Sequence, residues 1–205
     1  MSIMPKQQIS NKINLLTKHV LELPEMDPAS RRQALMQIMH QKKQECHDCG
    51  NCPGTCCTMK SNSMQISTLE AIDILIYCLS QNWDLQQLIQ DLENTVTEFR
   101  LDYLIQARPG QMVRKNYTCT FFCQTSLACK IPRDFRPYGC LAFNPVSHDQ
   151  RGLTCCTDVS GKQALENLEK SLLLINQKLR RDCCIIDEKN PIPVAVLNLL
   201  KLVRN

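Results

Sequence analysis

Five thiols fall within the segment Cys46-His-Asp-Cys49-Gly-Asn-Cys52-Pro-Gly-Thr-Cys56-Cys57, and nothing else in the chain constrains its folding as sharply. Gly50, Pro53 and Gly54 keep this stretch out of regular helix, because glycine leaves the backbone loose and proline removes a donor. Cysteines two residues apart can turn both sulfurs toward one ion. The run from Cys46 through Cys49 and Cys52 to Cys56 also has the C-x2-C-x2-C-x3-C spacing of bacterial ferredoxins, in which three thiolates hold one iron–sulfur cluster and the fourth another. Cys57 stands where that run carries proline, and no second copy of the run occurs. A two-cluster ferredoxin is therefore not expected.

The alternative use of such a segment is a disulfide knot, and compartment decides between the two. The chain has 205 residues and fourteen cysteines. A domain of this size buries roughly 70% of its unfolded surface and needs no covalent staples. A secretory leader needs an apolar stretch of about 7–15 residues behind a basic start. Residues Met1 to Leu23 instead scatter Pro5, Lys6, Gln7, Gln8, Asn11, Lys12, Asn14 and Lys18 among single apolar positions. The expectation is a cytoplasmic protein whose thiols stay reduced and serve metal or redox chemistry. No run approaches the roughly 18 apolar residues of a membrane span; the longest, Val194 to Val203, is broken by Asn198 and Lys201. A formal net charge of +4, without a basic run, gives no reason to expect nucleic acid.

Hydrophobic periodicity makes the rest of the chain helical. With five Phe, four Tyr and one Trp, the core must come from Leu, Ile, Val and Met. Ile9, Ile13, Leu16, Val20 and Leu23 form one stripe, closed by Pro24. Asp27-Pro28 opens a second helix with Leu35, Met36, Ile38 and Met39 as its apolar face. Ser67-Thr68-Leu69-Glu70 reads as a capping box, leading a helix through about Ser80 that carries Leu69, Ile72, Leu75, Ile76 and Leu79. Asp84 caps another, whose stripe of Leu85, Leu88, Leu92, Val96, Phe99 and Tyr103 is expected to run to the stop at Arg108-Pro109-Gly110. Ser160-x-x-Gln163 suggests a further box ahead of Leu165, Leu168, Leu172, Ile175 and Leu179, with Cys183-Cys184 at the end of that helix. A last helix starts near Pro193 and buries Val196, Leu197, Leu200 and Val203. The expected fold is mainly α, with helices packed around a loop-rich cysteine-cluster metal centre. Its parts are a helical segment over 1–45, a cysteine-cluster domain with two inserted helices over 46–160, and a helical pair over 161–205 on the same core.

A second cysteine block, from Cys119 to Cys156, is broken by Pro132, Pro137, Gly139, Pro145 and Gly152 and should consist of turns and short extended pieces. It contains Cys119-Thr-Phe-Phe-Cys123, Cys129-Lys-Ile-Pro and Arg136-Pro137-Tyr138-Gly139-Cys140-Leu-Ala-Phe-Asn-Pro145. The pairing of these motifs with the first block resembles the YkgJ-type cysteine-cluster family, a zinc- or iron-chelating domain. The helix start Ser67-Thr68-Leu69-Glu70-Ala71 is similar too. The resemblance covers about Cys46 to Pro145 and implies one metal site built from both blocks. Carried over residue by residue, its ligands would be Cys49, Cys52, Cys56, Cys57, Cys119, Cys129 and Cys140, with Cys46 fitting the spacing as an eighth. Where many members read CG-x-CC, Pro-Gly-Thr here separates Cys52 from the Cys56-Cys57 pair, and Cys123 is an additional cysteine.

Arg136 beside Cys140 offers a positive charge to clustered thiolates. Cys78, within Ile74-Leu75-Ile76-Tyr77-Cys78-Leu79, reads as a core residue. Cys123, Cys155, Cys156, Cys183 and Cys184 remain unassigned, and His47 and His148 read as loop residues. Zinc and iron both remain open as the metal; the ferredoxin-like spacing leans toward iron–sulfur, with a 4Fe-4S cluster as one form. Three functions follow. The metal could pin the loops so that the helices meet a protein partner. The cluster could be the reactive centre of an enzyme or electron-transfer protein, since flagellin lysine methylases carry a similar cysteine cluster. The thiols could store or hand on metal. No glycine-rich nucleotide loop and no C-x3-C-x2-C order of radical S-adenosylmethionine enzymes is present.

Overall fold

The computed structural model describes residues 27–44, 54–103, 105–108, 111–149, 152–183 and 188–204. The stripe from Ile9 to Leu23, the cysteines Cys46, Cys49, Cys52 and Cys184, and His47 lie outside the described residues, as do the side chains of His148, Cys183 and Val203.

Asp27 accepts a hydrogen bond from the Ser30 amide (3.0 Å) and Pro28 occupies the first turn, so α1 starts where its cap requires, at Pro28–Gln44. Leu35 and Met39 are buried, but so are Arg31 and Arg32. The next described elements are the 3-10 turn Thr55–Cys57 and the short strand β1, Gln65–Ile66. Helix α2, Thr68–Ser80, opens on a complete capping box. The Ser67 hydroxyl accepts from the Glu70 amide, and the Glu70 carboxylate accepts from the Ser67 amide at 2.8 Å. Leu69 to Leu75 are all buried, so α2 is the central helix and not a one-sided amphipathic one.

Asp84 accepts from the amides of Gln86 (2.9 Å) and Gln87 (3.2 Å) and starts α3, Leu85–Glu98. Here the expected continuation through Tyr103 is corrected. Arg100 turns left-handed (φ 51°), Leu101 donates to the Val96 carbonyl (2.9 Å) and Arg100 to the Thr97 carbonyl (3.2 Å). That pair of bonds is a Schellman motif, which satisfies the last carbonyls and folds Leu101 back onto the core. Tyr103 is left exposed, and the chain leaves as the antiparallel ribbon of β2, Ile105–Arg108, and β3, Gln111–Val113.

The second block is irregular, as its prolines and glycines require. It comprises the ribbon of β4, Phe122–Cys123, and β5, Ala128–Cys129; a 3-10 turn at Arg133–Phe135; the short helix α4, Tyr138–Ala142; and the ribbon of β6, Asn144–Asp149, and β7, Gly152–Cys156. Helix α5, Val159–Cys183, is capped by Asp158 and not by Ser160: the Gly161 amide donates to Asp158 Oδ1 at 2.8 Å. The amide and the nearby Lys42 ammonium hold the Asp158 carboxyl below its usual range. Strand β8, Asn190–Pro191, pairs with β1, and α6, Ile192–Arg204, carries Pro193 in its first turn. Helix α6 packs on α2 and α3, while α1 packs on α4 and α5. The fold is mainly α, and among the described residues no helix is long and apolar enough to cross a membrane.

A buried polar network ties these layers together. Arg31 pairs with Asp73 and donates from Nε to the Tyr138 hydroxyl at 3.1 Å. Arg32 Nη1 lies 2.9 Å from Asp73 Oδ2, its Nε donates to the Arg136 carbonyl (2.6 Å), and its guanidinium stacks 4.6 Å from the Tyr138 ring centre. Glu70, on α2 beside Asp73, uses its other oxygen to accept from the Tyr138 amide at 2.8 Å. Two arginines thus meet two carboxylates where Arg32 is 0% and Asp73 1% exposed.

Removing one partner of a buried charge set strands the others without solvent. Asp73→Ala should therefore lower unfolding free energy by about 3–5 kcal/mol, well beyond the ~1 kcal/mol of a lost cap in Asp84→Ala. Denaturant unfolding would check this, and equal losses in the two variants would contradict it. Glu70→Gln places an NH2 group against an amide that donates to Glu70 now. We expect a loss of about 1–3 kcal/mol, read in the same assay.

Candidate metal centre

Each described candidate thiol is delivered by a different local device. Cys56 and Cys57 sit on the 3-10 turn closed by the Cys57 amide donating to the Gly54 carbonyl at 2.8 Å. Gly54 adopts φ +73°, and a Cβ there would stand 2.2 Å from Phe122 Cε2, so this position must be glycine. The Cys119 amide donates to the Cys57 carbonyl (2.8 Å), which splices the second block onto the first. Cys129 lies on β5, paired opposite Phe122. Cys140 rides on α4, whose entry is set by Pro137 and the Tyr138 amide bond to Glu70.

These five cysteines line one cavity of about 690 Å3, together with Met39, Asn62, Met64, Ile74, Phe121, Ile131, Ile192 and the arginines Arg114, Arg133 and Arg136. Cys78 is elsewhere, fully buried on α2, where burial pushes its thiol up to about 12. Cys155 and Cys156 lie on β7 beside Thr157, which reaches the cavity; neither cysteine lines it. Cys123, on β4 opposite Ala128, does not line the cavity. Arg114, Arg133 and Asn62 carry no sequence signal: residues in loops meet a cavity without any periodicity to mark them.

The electrostatics are those of several thiols sharing one desolvated space. The Cys57 thiol donates to Cys56, which holds Cys56 down at about 7, with the Arg136 charge helping. The same bond pushes Cys57 far above the thiol range, reinforced by burial and by Cys56, Cys119 and Cys140. Burial, then Cys129 and Cys56, raise Cys119 to about 12. Burial, then Cys119, Cys129 and Cys56, raise Cys140 well above its ordinary value. By contrast, hydrogen bonds from Ser126 and Thr125 lower the surface Cys123 to about 6.

Among the described cysteines, Cys56, Cys57, Cys78, Cys119, Cys123, Cys129, Cys140 and Cys156 are free thiols. Among the described residues, no group of three or more His, Cys, Asp or Glu stands ready to hold a metal ion. The donors nevertheless suit zinc or iron–sulfur in kind. They are soft sulfurs, and no carboxylate lines the cavity. In comparison with known families, curated proteins and solved structures, no family model, protein or structure matches this chain.

Because the thiolate is the nucleophile, alkylation should follow these shifts. In a brief iodoacetamide pulse on the native protein at pH 7, mapped by peptide mass spectrometry, Cys123 should be modified first. Its rate should fall as pH drops through about 6. Cys78 and Cys119 should stay unmodified until the protein unfolds; early labelling of Cys119 would contradict the placement of its thiol inside the cavity.

Proposed function

We propose that this chain is a metal-binding protein that coordinates zinc or iron through cysteines of both blocks, with Cys56, Cys57, Cys119, Cys129 and Cys140 as the described part of the ligand set. The observation that carries the reading is the meeting of these five thiols, far apart in sequence, around a single cavity. Cys46, Cys49 and Cys52 would complete it from the first block. The similarity to YkgJ-type cysteine-cluster proteins supports the same assignment. Raised thiols also fit it: burial and the neighbouring thiols keep Cys57, Cys119 and Cys140 protonated, and a cation would displace those protons. The metal then pins the loop-rich centre between the helices, which present a surface to a protein partner in a reducing, cytoplasmic setting.

A second reading rests on size. A cavity of about 690 Å3 is far larger than a single ion, which favours a 4Fe-4S cluster acting as the reactive centre of an enzyme or electron-transfer protein. Storage or delivery of metal is the third.

Metal and acid-labile sulfide measured on anaerobically purified protein separate these readings. Zinc without sulfide removes the iron–sulfur reading, and no metal at all removes the proposal. Cys56→Ser and Cys140→Ser should each lose most of the bound metal, whereas Cys78→Ser should keep it; equal loss in all three would show the ligands misassigned. Chelation that melts the helical circular dichroism signal marks a structural metal, and metal loss with an unchanged spectrum marks storage.

A further inference from the structure

The cavity carries a charge imbalance that the thiols do not account for. Its lining contains Arg114, Arg133 and Arg136 and no Asp, Glu or Lys. Arg136 is committed: its Nε donates to the Ile131 carbonyl at 2.9 Å and its charge bears on Cys56. The side chains of Arg114 and Arg133 line the cavity and are exposed. Neither has an ion pair or hydrogen bond among the described residues. Deeper in, Asn62 is 4% exposed; its Oδ1 accepts from the Met64 amide (3.1 Å), while its Nδ2 makes no aligned hydrogen bond. That Nδ2 stands near the Tyr117 hydroxyl, which itself donates to the Met64 carbonyl at 2.6 Å. The same lining carries the apolar side chains of Met64, Phe121, Ile131 and Ile192.

We infer that this cavity binds a small molecule carrying an oxyanion on an apolar body, the oxyanion held by Arg114 and Arg133 and the body lying along the apolar wall. Guanidinium forks match carboxylate and phosphate oxygens, and a cavity of about 690 Å3 falls within the roughly 300–1,000 Å3 of small-molecule sites. The inference uses the cavity of the proposed metal centre but does not require the metal.

The test is calorimetric titration of the full chain with octanoate and with octyl phosphate, and with inorganic phosphate as the headgroup alone. The two octyl compounds distinguish a carboxylate from a phosphate ligand. Metal content and circular dichroism are measured on the same samples. At least one octyl compound should bind, more weakly as salt rises. Arg114→Gln/Arg133→Gln should weaken that binding by about tenfold or more, with metal content and helicity unchanged. No binding of either octyl compound, equal affinity in the double variant, or inorganic phosphate binding as tightly as both would overturn the inference. Loss of metal in the double variant would do so too, since the arginines would then serve the cluster. Metal without anion binding removes this inference alone; anion binding by a metal-free chain removes the metal reading alone.

Discussion

The pairing of Arg31 and Arg32 with Asp73 is the constraint on which the rest of the structure depends. A guanidinium taken out of water costs several kcal/mol unless every partner is in place. Here the partners come from two distant parts of the chain, Asp73 on α2 and, in the second block, the Arg136 carbonyl with the Tyr138 hydroxyl and ring, and only Arg32 Nη2 among the Arg32 nitrogens is left without a hydrogen bond. α1, α2 and the second block must therefore dock together or leave a charge stranded. Glu70 adds the same logic one turn away, since a single carboxylate closes the cap of α2 and fixes the Tyr138 amide.

That network reaches the cavity through two residues. Tyr138 heads the short helix that carries Cys140. Arg136 gives its carbonyl to Arg32, its Nε to Ile131 and its charge to Cys56. The placement of Cys140 is thus tied to charge burial on the far side of the same residues. Once there, the thiols share a desolvated space in which more than one negative charge is costly, which is why Cys119 and Cys140 are pushed up while the Cys57 thiol donates to Cys56.

Much of the helical framework was readable in the chain because its signals are local. Asp27, Ser67 with Glu70, and Asp84 all act as caps on the helices they precede, through bonds to residues two or three positions on. The misread boundaries are instructive. The α3 stripe predicts a helix through Tyr103, yet a left-handed Arg100 ends it, and arginine carries no preference that would announce it. Ser160 competes with Asp158 for the same cap, and the carboxylate wins with the Gly161 amide and Lys42 beside it. Nothing local announces the burial of Arg31 and Arg32, which rests on Asp73, Tyr138 and the Arg136 carbonyl, all distant in sequence.

By itself the sequence determined where α1, α2 and α3 begin, that the second cysteine block is irregular, and that sulfur is the chain's abundant soft donor. These follow from hydrogen bonds and side-chain periodicity within about four residues, which any reader of the chain can follow. Only the tertiary structure decided which thiols share a cavity, which stay in the core like Cys78 or at the surface like Cys123, and which arginines face them. Solvation and charge at a sulfur depend on groups brought near by folding, and nothing adjacent in the chain encodes them.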